Sequence, residues 1–195
     1  MDPDLRDLAI PIPSHKSPSI NSGDNPLPYK DTILPEFDME MDNTRRTLER
    51  VPDDKFSWQP HPRSGTLGWL AGHISNLPIW AMMTMQQESL NLAPSAGSAP
   101  VMPKPANRAE LLANFDQNRS ALRAALAAAD DAAYAKPWAL FMGDRELFRE
   151  PRAAVLRRMV FNHMIHHRGQ LTMYLRLLDV PVPGLYGPSA DEQNS

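Results

Sequence analysis

Apolar residues recur every three or four positions in four long stretches of the chain, a spacing that predicts four amphipathic helices. In the first, Thr32 to Arg50, Ile33, Phe37, Met41, Thr44 and Leu48 share one face. Val51-Pro52 ends it, because a residue ahead of proline avoids helical backbone angles. The second runs from Leu67 to about Leu90, capped by Ser64 or Thr66. Pro78 lies inside it and crowds the Ile74 carbonyl, so a kink just after His73 is expected. The third spans Arg108 to Asp130, with Leu111, Leu112, Phe115, Leu122, Ala125 and Leu126 inward, and Asn107 and Glu110 as its cap pair. The fourth runs from Pro151, a good first-turn residue, to about Leu178.

The intervening stretches lack this period. "PDDKFSWQPHPRSGT" reads as a loop with Phe56 and Trp58 as plugs, and residues 91–107 form a long second loop. "WALF" and "ELF" flank the turn signal "MGDR", which fits a small hairpin or a loop over one end of the fold. Four amphipathic segments with no sustained strand pattern predict an all-α four-helix bundle, the long loop being a crossover. Residues 1–31 are rich in proline, serine and asparagine and predict a flexible arm ahead of a bundle domain over 32–192. The other reading is an arm laid on a partner subunit, anchored by Ile10, Ile12, Leu27 and Tyr29.

Composition narrows the function classes. At 42% hydrophobic and 22% charged over 195 residues, the chain can bury a core. A net charge of −3 with scattered basic residues gives no nucleic-acid footprint. With no cysteine, disulfides, thiolate metal sites and a cysteine nucleophile are all excluded. The acidic start "MDPDLRDLAIPIP" has no long apolar core, and no stretch approaches a membrane span, so a cytoplasmic protein without a membrane partner is expected.

The histidines carry the candidate chemistry. At about 100° per residue, Leu156, Val160, His163, His167, Leu171, Tyr174 and Leu178 share a face of the fourth helix. His163 and His167 are about 40° apart at its centre, while His166 falls about 60° to one side. On the second helix Leu67, Leu70, His73, Ile74 and Leu77 share a face. His73, His163 and His167 thus all turn into the bundle. Each taken alone also fits a hydrogen-bonded core histidine. Together they fit a shared divalent metal, since imidazoles one turn apart can bind one ion. His61 reads as an exposed loop residue.

The motifs "GTLGWLAGHISNLPIW" and "FNHMIHHRGQLTMYLRLLDVPVPGLYGPSADE", with the preceding "FSWQPHPRS", resemble the DinB/YfiT-like superfamily of metalloenzymes over roughly residues 32–192. The resemblance implies a four-helix bundle in up-down-down-up order, often a homodimer. It implies one divalent metal, commonly nickel or zinc, on His73, His163 and His167. It also implies mixed activities: thiol-dependent S-transferases using mycothiol or bacillithiol, a maleylpyruvate isomerase branch, and members without known activity.

Three neutral imidazoles leave coordination positions open and keep the ion's full charge. The leading expectation is a metal-dependent S-transferase whose low-molecular-weight thiol comes from outside and attacks a small-molecule electrophile. Metal-dependent hydrolysis is the alternative enzyme. It wants a carboxylate base, which Asp38, Glu40 or Asp42 supplies only by turning inward, where the pattern puts Phe37 and Met41. A non-catalytic, metal-stabilised dimeric stress or binding protein is the third reading.

Three further residues are candidates for binding the thiol or substrate. Arg168 lies off the inner stripe and fits a salt bridge or carbonyl bond to another helix, or an anchor for a substrate carboxylate. Gln170 can hydrogen-bond a ligand imidazole. Tyr174 can point its hydroxyl at the site. Trp58, Trp69, Trp80 and Trp138 read as core or interface rather than as substrate platforms.

Overall fold

The structure, a computed structural model, describes residues 27–95 and 99–192. Nearly all of the proposed arm, including Ile10, Ile12 and His15, lies outside the described residues. Helix α1 spans Tyr29–Leu48 and starts three residues ahead of the expected Thr32. Asp131 explains the early start, since its Oδ1 accepts from the Tyr29 N–H at 2.8 Å and satisfies one open donor of the first turn. The five apolar-face residues expected on α1 are all buried.

A turn of 3-10 helix at Asp53–Lys55 leads into α2, Leu67–Gln86, which runs unbroken through Pro78. The kink expected after His73 therefore does not divide it. The chain then departs from the expected pattern, for Ser89–Asn91 is a short strand, β1, not the end of a helix. Helix α3, Arg108–Ala128, carries the expected cap, with Asn107 Oδ1 accepting from the Glu110 N–H at 2.9 Å. Glu110 returns a bond to the Ala106 N–H at 2.8 Å. A five-residue helix, α4, follows at Asp131–Ala135.

The hairpin option is the one realised. Strands β2, Pro137–Met142, and β3, Arg145–Pro151, pair antiparallel, and β1 adds to β2 in parallel. Gly143 opens the two-residue turn at φ 61°, a left-handed value that a Cβ disfavours. The Asn91 side chain clamps it, donating to the Gly143 carbonyl at 2.8 Å and accepting from its N–H at 3.1 Å. The fold is thus mostly helical with a small three-stranded sheet, not all-α.

The expected fourth helix is three pieces: α5 (Arg152–Val155), a π-helical stretch (Leu156–Asn162) and α6 (His163–Leu177). A π turn holds more residues than an α turn, so it delays the helical phase. The buried stripe accordingly runs Leu156, Val160, Met164, Arg168, Leu171, Leu175. From Met164 to Arg168, and again at Leu175, it trails the straight-helix pattern by one residue. At its end, Asp179 takes φ 56° while Asp179 and Val180 N–H groups return to the Arg176 and Leu175 carbonyls at 3.1 and 3.0 Å. This is a Schellman stop.

In the helical part α1 and α2 each pack against both α3 and α6. Ion pairs Arg123–Asp38, Arg119–Asp42 and Arg45–Asp116 line the α1–α3 seam and turn Asp38 and Asp42 toward α3. A satellite core of Leu90, Trp138, Leu140 and Val155 ties the sheet to the bundle, with Trp80 of α2 packed against it. No described helix is long and apolar enough to cross a membrane.

Candidate metal centre

The site is built first from the start of α2. Carbonyls of Trp58 and Phe56 accept from the Leu67 and Gly68 N–H groups at 2.8 and 2.9 Å, and Thr66 Oγ1 caps Trp69 at 3.1 Å. Gly68 permits this approach, because a Cβ there would stand 2.6 Å from the Phe56 ring. With its first turn fixed, α2 presents Trp69 and His73 one above the other. Their rings are parallel within 1°, with centroids 5.4 Å apart.

The delayed phase of α6 supplies the other half. His163 and His167 flank the buried stripe instead of sitting at its centre, so they are only partly covered. Their Nε2 atoms are 2.7 Å apart, and His73 Nε2 is 3.3 Å from that of His163. The potential ligand nitrogens of all three lie within 4.8 Å of one another. His166 is exposed, and His61 is an exposed loop residue whose Nδ1 accepts from the Arg63 N–H.

The outer nitrogens decide what the inner ones can do. His163 Nδ1 lies 3.3 Å from the Met159 carbonyl, which can only accept, so Nδ1 carries the proton and Nε2 a lone pair. His167 Nδ1 lies 2.7 Å from Gln170 Oε1, an amide oxygen that can only accept, with the same result. Two lone pairs then face each other across 2.7 Å, an arrangement that a shared cation relieves. Bonds of about 2.0–2.1 Å to a tetrahedral ion put nitrogens about 3.3 Å apart, as His73 and His163 already are. The residues present therefore fit a divalent metal.

Burial and the nearby His167 and His163 hold the His73 imidazole down to about 4. Burial, then His167, also lowers His163. Both are neutral near pH 7 and available as ligands. His73 also lines a cavity of about 650 Å³ that runs along α2 past Trp69, Gly72, Asn76 and Trp80 and is roofed by residues 100–105.

The other candidates are placed as follows. Gln170 contacts the His167 ring, as expected of a residue that orients a ligand. Arg168 is not off the inner stripe, since the π turn carries it into the core at 1% exposure. There it donates to Glu40 Oε2 at 2.6 Å, the Glu40 carbonyl at 3.0 Å and Thr44 Oγ1 at 3.1 Å, which is the salt-bridge role. Glu40 does turn inward, contrary to the α1 pattern, but its carboxylate meets Arg168 and the Tyr186 hydroxyl, not the histidines. The Tyr174 hydroxyl donates to the Gly65 carbonyl at 3.4 Å while its ring packs edge-on against Trp58. Trp138 is core as expected, but Trp69 and Trp80 line the cavity. Their spacing from His73, four before and seven after, was the available signal for a shared face.

A mostly helical core thus brings together three convergent imidazoles that could hold a metal ion, beside an open cavity. A DinB superfamily model matches residues 36–171, and the chain belongs to that superfamily. It is 25% identical over 162 residues to the uncharacterized protein YrdA of Bacillus subtilis (strain 168), covering 83% of this chain and 90% of that one. Its fold is similar to that of a DinB-like protein from Bacillus cereus ATCC 10987, with TM-score 0.62 and 24% identity over 80% of this chain and 97% of that one. It is also similar to the DinB-like protein YjoA from Bacillus subtilis, with TM-score 0.55 and 17% identity over 77% and 96%.

Proposed function

We propose that His73, His163 and His167 hold one divalent metal ion, nickel or zinc, and that the protein is a metal-dependent S-transferase using an external low-molecular-weight thiol. The observation that carries this is the convergence of three ligand nitrogens beside an open 650 Å³ cavity. A purely structural site would be closed on all sides. Imidazole donors suit nickel and zinc alike.

A bound divalent ion supplies positive charge, undiminished by its neutral ligands, that favours a thiol as its thiolate. The chain's own residues do the rest. The Met159 carbonyl and Gln170 keep the protons of His163 and His167 on the outer nitrogens, and Trp69 holds the plane of His73. The sequence contains no cysteine, so the thiol is a co-substrate. Hydrolysis is less well supported, because among the described residues no carboxylate joins the three histidines and Glu40 is spent on Arg168.

The same reading takes the four long helical segments as an up-down-down-up bundle that works as a homodimer. Its setting is the cytoplasm, where small thiols stay reduced. The test starts with elemental analysis of protein purified without a metal-affinity tag. A thiol panel with a chlorodinitrobenzene follows, comparing wild type with His167→Ala. About one metal per chain and thiol-dependent turnover lost in the variant are expected. No near-stoichiometric metal, even after reconstitution, overturns the proposal. Bound metal without turnover rejects the transferase and leaves a metal-stabilised binding protein.

A further inference from the structure

We infer that the cavity along α2 is the subsite for the second substrate, and that it takes a planar aromatic acid whose carboxylate meets Lys104. This rests on the reading above that the three histidines are the reacting end.

Along α2 the cavity is lined at positions 69, 72, 73, 76 and 80, one face of the helix. Trp80 stands seven residues beyond His73, roughly 10 Å along the axis. A ligand reaching from one to the other is therefore elongated. Gly72 keeps the floor between them flat, and a Cβ added there would meet Pro105 Cδ at 3.6 Å. The opposite wall is the segment 100–105, "PVMPKP", whose three prolines and Met102 are apolar and whose backbone bends little. Flat rings stack well between an indole and proline faces. The volume of about 650 Å³ suits a small organic molecule, within the roughly 300–1,000 Å³ of such sites.

Polar groups in the lining are few, and their bonds settle which of them can serve a ligand. Asn76 is 5% exposed and uses both ends of its amide. Nδ2 donates to the Pro103 carbonyl at 2.9 Å, and Oδ1 accepts from Asn114 at 2.9 Å. Asn76 therefore pins the wall to the helix and is not open to a substrate. Lys104 remains. It is exposed on the rim, the lining contains no aspartate or glutamate, and no ion pair holds Lys104 among the described residues. A cation beside an apolar slot selects a ligand that is apolar in its body and negative at one end.

The test is binding of 2-naphthoate and of its cationic counterpart, 2-naphthylmethylammonium, followed by tryptophan fluorescence and calorimetry on metal-loaded and metal-stripped protein. Naphthoate should bind more tightly than the ammonium in both forms. Lys104→Gln should weaken naphthoate by about three- to fivefold and leave the ammonium unchanged or slightly better. Gly72→Leu, or Trp80→Leu if the first variant loses its helical circular dichroism, should abolish binding of both. Equal binding of the two probes, no binding, or naphthoate binding that ignores Lys104→Gln and requires the metal overturns the inference. Failure of the metal-site reading looks different: no metal is bound, yet naphthoate binding and its dependence on Lys104 persist.

Discussion

His167 and Gln170 are joined within one helical turn by a 2.7 Å contact between Nδ1 and Oε1. That contact fixes which nitrogen of His167 faces His163, and so turns a pair of imidazoles into a pair of convergent donors. Gln170 is exposed, so truncating it uncovers little of the core. Gln170→Leu should therefore lower divalent-metal affinity about 10–100-fold, read by chelator competition. The stability of the metal-free protein should change by less than about 0.5 kcal/mol. Gln170→Glu, which keeps an acceptor, should restore affinity. Equal affinity in Gln170→Leu would show that the His167 tautomer is set elsewhere.

The depressed His73 gives a pH dependence whose sign can be worked out. Its imidazole titrates at about 4 in the folded chain and near 6.5 when unfolded. Between those values the unfolded state binds more protons, so stability rises with pH. The contribution of His73 is complete above about 6.5 and is lost as pH falls toward about 4. Urea unfolding of metal-free protein at pH 4.5, 5.5 and 6.5 should show that decline, with a shallower slope in His73→Gln. Parallel slopes would remove His73 as a source. Metal release should follow the same direction, because protons compete for the ligand nitrogens.

Glu40 and Arg168 form a buried pair, 3% and 1% exposed, that joins α1 to the helix bearing the histidines. Tyr186 of the C-terminal segment closes it, its single hydroxyl proton shared between the two Glu40 oxygens, each 2.9 Å away. Removing one partner strands the other charge in the core. Glu40→Leu or Arg168→Met alone should cost about 3–5 kcal/mol in denaturant unfolding. The double variant Glu40→Leu/Arg168→Met should recover much of that loss. Additive losses would mean that the pair acts through separate contacts.

The position of Arg168 in that pair does not follow from spacing along a regular helix. The α1 apolar stripe, the α3 cap and all three clustered histidines were legible, because each follows from spacing along one regular helix. The π turn at 156–162 was not, since an added residue per turn leaves no compositional mark. It moved Arg168 inward and His163 and His167 to the edge of the buried stripe, where they meet His73. Strand β1 was missed for another reason. Ser89–Asn91 is three residues with a single apolar side chain, Leu90, too short to show a strand period, and only pairing with β2, some fifty residues later, makes it a strand. By residue type alone Trp69 and Trp80 fit core or interface; that Trp69 is 58% exposed and that both line the cavity follows only from the packing around α2.

Gly65 is the last link between the loop before α2 and the site. A Cβ built on it would lie 2.3 Å from Cε3 of Trp69, so the indole packs against this backbone while its ring runs parallel to that of His73. Gly65→Ala must push the ring away, and His73 then loses the surface that fixes its plane. Stacked aromatic pairs contribute about 0.5–1.5 kcal/mol, which corresponds to roughly a two- to tenfold loss of metal affinity. Trp69→Ala should give a loss of similar size, and Gly65→Ala/Trp69→Ala no more than Trp69→Ala alone. In wild type, nickel should quench tryptophan emission through Trp69, and Trp69→Phe should remove most of that quenching. A Gly65→Ala variant that binds metal as wild type does, with unchanged tryptophan emission, would show that the ring finds another seat and that His73 is held without it.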